Sequence, residues 1–211
     1  MTCVKICGIT RPEDAIAAAH CGANAIGLVF FEKSPRHVDV ARAAEICLAL
    51  PPFVSTVALF VDAFAADVHR VLDLVSIDLM QFHGDETSDY CAQFGKPYMK
   101  AVRVRPQLDL LQYAAAYSEA KALLLDTYVE GVQGGTGKMF NWDLIPSKLP
   151  LPVVLSGGLK PDTVGQAVRQ VRPWAVDVSS GVEAAPGVKD AKKIAEFIKG
   201  VRDADASTRG I

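Results

Sequence analysis

Short apolar runs and helical segments alternate eight times along this chain, and this constrains the fold more than any other feature. The apolar runs fall at residues 4–7, 25–30, 54–60, 77–82, 98–104, 122–126, 152–158 and 175–181. They are apolar throughout, as parallel strands buried on both faces are. Helical patterns are expected between them at 12–21, 40–50, 63–74, 86–94, 108–117, 161–171 and 189–202, with a short helical turn at 141–146. Pro12 and Pro161 suit first turns, and Pro51-Pro52 stops the second helix. Strict alternation argues an α/β protein. Eight units argue one closed (β/α)₈ TIM barrel, a parallel eight-stranded sheet ringed by helices, rather than an open doubly wound sheet. No GxGxxG follows the first run, which lowers the dinucleotide reading. The barrel is expected to fill residues 1–203 as one catalytic domain, with 204–211 a frayed polar tail.

The totals exclude several classes. A chain of 211 residues is long enough to bury a core without disulfides or a structural metal. The net charge of −2 offers no basic surface for nucleic acid and no acidic run for disorder. The apolar stretches are far shorter than the ~20 residues of a membrane helix, and MTCVKICGIT lacks a signal-peptide core. The expected location is therefore the cytoplasm. The five cysteines form no CxxC and the four histidines no HxxxH, so no disulfide framework and no metal site is expected. No coiled-coil pattern or long apolar edge demands a partner, so a monomer is expected.

Active sites of such barrels lie at the C-terminal ends of the strands, so the residues that end each run are the candidates. The seventh and eighth runs end in SGG (156–158) and SSG (179–181). Loops there are the usual phosphate site, and glycine lets backbone approach an anion closely. Gly157, Gly158, Ser180 and Gly181 are read as phosphate-binding, against the alternative of tight turns only. Asp126 ends the apolar run ALLLD. Burial there would raise its pKa and suit a general acid; the alternative is a turn aspartate. Cys7 ends the first run. It is either a buried packing residue or a base, and a base needs a nearby cation or helix N-terminus to lower its pKa. Cys3, Cys21, Cys47 and Cys91 hold no such position and are read as packing or surface. Arg36 follows Ser34-Pro35 on a loop aimed at the rim, where it holds an anion through paired N–H donors or lies on the surface. His83 either donates a hydrogen bond or braces the rim. Asp177 points into the barrel or into the helix layer, and the pattern does not decide. The glycine-rich segment 130–138 is too long for an idle connection and is read as a mobile loop over the site. It is not a P-loop, because Met139 stands where Ser or Thr would be.

Seven motifs, in order, resemble the phosphoribosylanthranilate isomerase family of tryptophan biosynthesis: KICGIT (5–10), GLVF (27–30) followed by SPR (34–36), QFHG (81–84), LLLDT (123–127), GGTGKMFNW (134–142), LSGGL (155–159) and DVSSGVE (177–183). The resemblance implies an Amadori rearrangement of a phosphosugar, N-(5-phosphoribosyl)anthranilate, without cofactor or metal. It implies Cys7 as general base and Asp126 as general acid. It assigns Arg36 to the anthranilate end and the SGG and SSG loops to the phosphate. Two positions depart from the family pattern. Phe82 replaces a leucine, and Asn141 replaces an aspartate after the glycine loop; Asn caps a helix about as well as Asp. The competing readings are a sibling phosphosugar barrel, such as indole-glycerol-phosphate synthase or the histidine-pathway isomerase, and a phosphosugar-binding protein without turnover. The first run ends on Cys7 rather than a catalytic aspartate or lysine, which argues against the siblings. Retention of both Cys7 and Asp126 argues against the binding protein.

Overall fold

A computed structural model describes residues 1–127 and 141–208. Eight parallel strands, β1 (Cys3–Cys7), β2 (Ala25–Val29), β3 (Ser55–Phe60), β4 (Leu79–Phe82), β5 (Tyr98–Val104), β6 (Ala122–Thr127), β7 (Val153–Leu155) and β8 (Ala175–Val178), close into a barrel in sequence order. Outer helices follow: α1 (Pro12–Cys21), α2 (Val40–Ala49), α3 (Ala65–Leu74), α4 (Ser88–Ala92), α5 (Leu110–Ala116), α6 (Val164–Val171) and α7 (Ala191–Thr208). Between β6 and β7, the described residues carry only the 3-10 turn Trp142–Leu144. It is capped by Asn141, whose side chain accepts from the Asp143 N–H at 3.0 Å, so the asparagine keeps a capping role. The expected loop at 130–138 lies outside the described residues.

Strand alternation sorts each run into two faces. The outward residues, such as Ile6, Leu28, Phe82 and Leu155, join the large core under the helices. The inward residues form layers inside the barrel. Val57, Met99, Ala101, Leu124, Val154 and Ala175 fill the lower interior. Cys7, Val29 and Leu59 stand above them. Closure fixes the register there: Cys7 pairs with Gly27 across β1 and β2, and Lys5 with Asp177 across β1 and β8.

Several element boundaries differ from the sequence reading. The seventh and eighth strands end at Leu155 and Val178 rather than 158 and 181. Gly157 and Gly158 take positive φ (86° and 67°), which breaks strand pairing. Residue 189 does not begin a helix. Val188–Lys189 pairs antiparallel with Glu183–Ala185 as a small hairpin, β10 with β9, and Pro186-Gly187 was its legible turn signal. Glu86 precedes α4 rather than opening it; it is buried against Lys100, Nζ to Oε2 2.8 Å. The last helix does not stop at 202. Ala204 is buried, and Asp205 accepts from the Thr2 N–H at 2.6 Å and hydroxyl at 2.8 Å, so α7 continues to Thr208.

No helix among the described residues is long and apolar enough to cross a membrane. The monomer expectation rested on the lack of a coiled-coil pattern or long apolar strand edge. Phe53, Leu48, Leu74 and Trp174 are nevertheless exposed, on segments leading into β3, β4 and β8 at the barrel's N-terminal end.

Candidate active site

A cavity of about 880 Å³ opens at the C-terminal ends of the strands, within the usual range for a small-molecule site. Cys7, Arg36, His83, Asp126, Gly157, Gly158, Ser180 and Gly181, all singled out from the sequence, line it together.

One wall is built on β1, β8 and the hairpin. Cys7 is buried. Gly27 is the residue that makes room for it: a Cβ there would lie 2.8 Å from Cys7 Sγ and 3.1 Å from Lys5 Cε. Lys5, two residues before Cys7 and therefore on the same face, donates from Nζ to Asp177 Oδ1 at 2.8 Å. Asp177, undecided from the pattern, thus points inward. Burial pushes the Cys7 thiol above its ordinary pKa, against the opposing pull of Lys5. The cation needed beside a thiol base is present, but its pull is smaller than the effect of desolvation.

Arg36 reaches the same wall from the loop after β2. Its Nε and Nη2 donate to Glu183 Oε1 and Oε2 at 2.7 and 2.8 Å. Lys189 Nζ donates to the same carboxylate at 2.8 Å and to the Ser179 carbonyl at 3.1 Å. Burial alone would raise the Glu183 pKa; the bonds from Arg36 and Lys189 outweigh it and hold the carboxyl below its ordinary value. Two of the five guanidinium N–H donors of Arg36 are used by Glu183. Gly8, at φ 73°, lies against this arginine: a Cβ would stand 2.5 Å from Arg36 Cδ.

The opposite wall carries Asp126. Its Oδ1 accepts from the Thr127 N–H at 2.8 Å, and its Oδ2 lies 3.2 Å from His83 Nε2. Gln81 Nε2 is 2.9 Å from His83 Nδ1. The amide donates, so Nδ1 accepts and Nε2 carries the hydrogen toward Asp126. His83 therefore both donates and braces. Arg103, which pairs in register with Asp126, lines the cavity with a buried Nε that has no hydrogen-bond partner among the described residues.

The floor between the walls is glycine. A Cβ on Gly157 would strike the Thr127 hydroxyl and lie 2.9 Å from Asp126 Oδ1. One on Gly181 would strike the Leu159 carbonyl. The two loops therefore pack backbone to backbone, as a phosphate cradle requires. Among the described residues, no group of three or more His, Cys, Asp and Glu side chains is placed to hold a metal ion.

Sequence reasoning missed Lys5, Gln81, Glu183 and Lys189. Three of these lie inside quoted motifs, Lys5 in KICGIT, Gln81 in QFHG and Glu183 in DVSSGVE; Lys5 and Glu183 depend on partners distant in sequence, Asp177 and Arg36, whereas Gln81 meets His83 within its own motif.

The family model for N-(5'phosphoribosyl)anthranilate (PRA) isomerase matches residues 4–200. The N-(5'-phosphoribosyl)anthranilate isomerase of Nitrosospira multiformis is 58% identical over 198 residues, 94% of this chain and 95% of that protein. The crystal structure of phosphoribosyl anthranilate isomerase from Thermotoga maritima is similar at TM-score 0.85 and 40% identity, covering 96% of this chain and all of that one. A phosphoribosyl anthranilate isomerase solved with reduced 1-(o-carboxyphenylamino)-1-deoxyribulose 5-phosphate matches at TM-score 0.82 and 39% identity, with the same coverage. By its barrel, its cavity and these likenesses, the chain belongs to the N-(5'-phosphoribosyl)anthranilate isomerase family, enzymes of the (β/α)₈ type.

Proposed function

We propose that Cys7 and Asp126 are the base and acid with which this isomerase converts N-(5-phosphoribosyl)anthranilate to 1-(2-carboxyphenylamino)-1-deoxyribulose 5-phosphate. The supporting observation is that the two buried groups line opposite walls of one cavity floored by the glycine loops of β7 and β8. The substrate phosphate lies on the loops of Gly157, Gly158, Ser180 and Gly181. Its carboxylate lies on the Nη1 side of Arg36, whose other side Glu183 fixes. That arrangement sets the ribose between the walls.

Asp126, protonated, gives its hydrogen to the furanose ring oxygen. The C1–O bond breaks as the anilino nitrogen lone pair forms a C=N⁺ bond, leaving an iminium. Cys7, as thiolate, takes the proton from C2. The C–H electrons form the C1=C2 bond and neutralise the nitrogen, and the enamine tautomerises to the ketone. His83, donating to Asp126, orients the carboxyl and stabilises the carboxylate that remains. The iminium acidifies C2–H, so a thiolate is a sufficient base. Two groups whose surroundings differ this much suit opposite roles.

The test is turnover of N-(5-phosphoribosyl)anthranilate, followed by loss of its anthranilate fluorescence, in wild type, Cys7→Ala and Asp126→Asn. Fast decay in wild type with losses of about 10²-fold or more in each variant is expected. A variant that keeps wild-type kcat would remove its residue from the mechanism.

A further inference from the structure

Lys5 is a lysine buried inside the barrel, below the residue that the mechanism uses as a base. A buried ammonium is costly unless paired, and its one salt-bridge partner among the described residues is Asp177, at 2.8 Å. Asp177 comes from the last strand of the barrel and Lys5 from the first, so this ion pair is made only when the barrel closes. A barrel that needed only bracing here could use apolar residues of similar volume, often at no cost in stability. The pair is also next to Cys7. The space above Gly27 is shared by Lys5 Cε and Cys7 Sγ, both within 3.1 Å of where a Cβ would stand.

We propose that Lys5 is a positioning cation for Cys7: held by Asp177, its ammonium supplies the countercharge that lets the buried sulfur stand as a thiolate when C2 is deprotonated. The proposal rests on Cys7 being the base. The charged groups that face Cys7 are Lys5 from β1, Asp177 from β8, Lys189 from β10 and Arg36 from the loop after β2. Val29 and Leu59, from β2 and β3, give the sulfur only apolar contact. Arg36 and Lys189 are both bonded to Glu183. Lys5 is bonded to Asp177, whose own charge opposes the thiolate. The two members of the pair therefore act on Cys7 with opposite sign: Lys5 favours the thiolate, and Asp177 disfavours it while keeping Lys5 in place.

That opposition defines the experiment. The full-length protein is alkylated with iodoacetamide across pH, and modification of Cys7 is followed by site-resolved mass spectrometry, since five cysteines are present. Asp177→Asn is expected to alkylate faster than wild type at neutral pH, its profile moved to lower pH. Adding Lys5→Met to Asp177→Asn is expected to slow Cys7 roughly tenfold relative to Asp177→Asn, the ratio of one pKa unit. In Asp177→Asn the amide oxygen can still accept from the Lys5 ammonium, and neither protein has a stranded carboxylate, so the comparison remains informative if Lys5→Met alone does not fold. The kcat of the double variant is expected to fall with KM nearly unchanged. Equal Cys7 rates and pH profiles with and without Lys5 would overturn the proposal and leave the lysine as a brace. Failure of the base assignment itself reads differently: Cys7→Ala would keep its turnover, whatever the alkylation rates show.

Discussion

On the Cys7 wall, ion pairs of 2.7–2.8 Å join Lys5 to Asp177 and Glu183 to both Arg36 and Lys189. On the Asp126 wall, the carboxylate is held by a 3.2 Å bond to His83 and by the N–H of its own neighbour. The first wall draws on β1, β8, the loop after β2 and the hairpin; the second is built from β4 and β6. On the proposed mechanism, the difference follows from what each wall must hold. A buried thiolate needs fixed positive charge close by, and fixed charge inside a barrel needs its own counterions. A carboxylic acid delivering one proton needs orientation, which neutral hydrogen bonds supply. Damage to the base wall is therefore expected to cost stability and activity together, and damage to the acid wall activity alone.

The strongest way to break this contrast is Glu183→Ala. It strands Arg36 and the fully buried Lys189 head, and removing one partner of a buried pair costs about 3–5 kcal/mol. Urea unfolding at neutral pH measures it. The pH dependence carries a sign. Because Glu183 titrates below its ordinary value in the folded protein, its contribution is present above about pH 4.3 and is lost as pH falls through the folded value. Glu183→Gln is expected to flatten that part of the stability–pH curve, and an unchanged curve would remove Glu183 from it.

Gly27→Ala is expected to be the next largest. The added methyl meets Cys7 and Lys5 at once, and displacing a reacting group by about 1 Å costs on the order of 10²-fold in rate. The loss should appear in kcat, with roughly 1–3 kcal/mol of stability lost to overpacking. Wild-type kcat would mean that the base wall has slack.

His83→Asn tests the other wall and is expected to be the smallest. Losing the hydrogen bond that orients the Asp126 carboxyl lowers kcat about tenfold, while the unfolding midpoint stays near wild type. A large fall in stability would show that the acid wall is as interdependent as the base wall and would erase the contrast.

Much of this was legible in the chain. Eight runs separated by helix patterns favour a closed barrel over an open sheet, so the barrel was legible in the alternation and the count of units. Cys7 and Asp126 were legible because each ends an apolar run, where a polar residue needs a reason. The glycines of the last two loops were legible because only glycine accepts their close packing. Tertiary structure alone decided which face each strand residue takes and which distant residues meet. In a parallel sheet both faces are buried, so the run AVDV gave no sign that Asp177 points inward. The register of β8 against β1 settled it, pairing two charges 172 positions apart. Arg36 and Glu183, 147 positions apart, meet for the same reason. Local pattern records the burial of single residues, whereas a countercharge is a relation between two, and closing the barrel is what brings the two together.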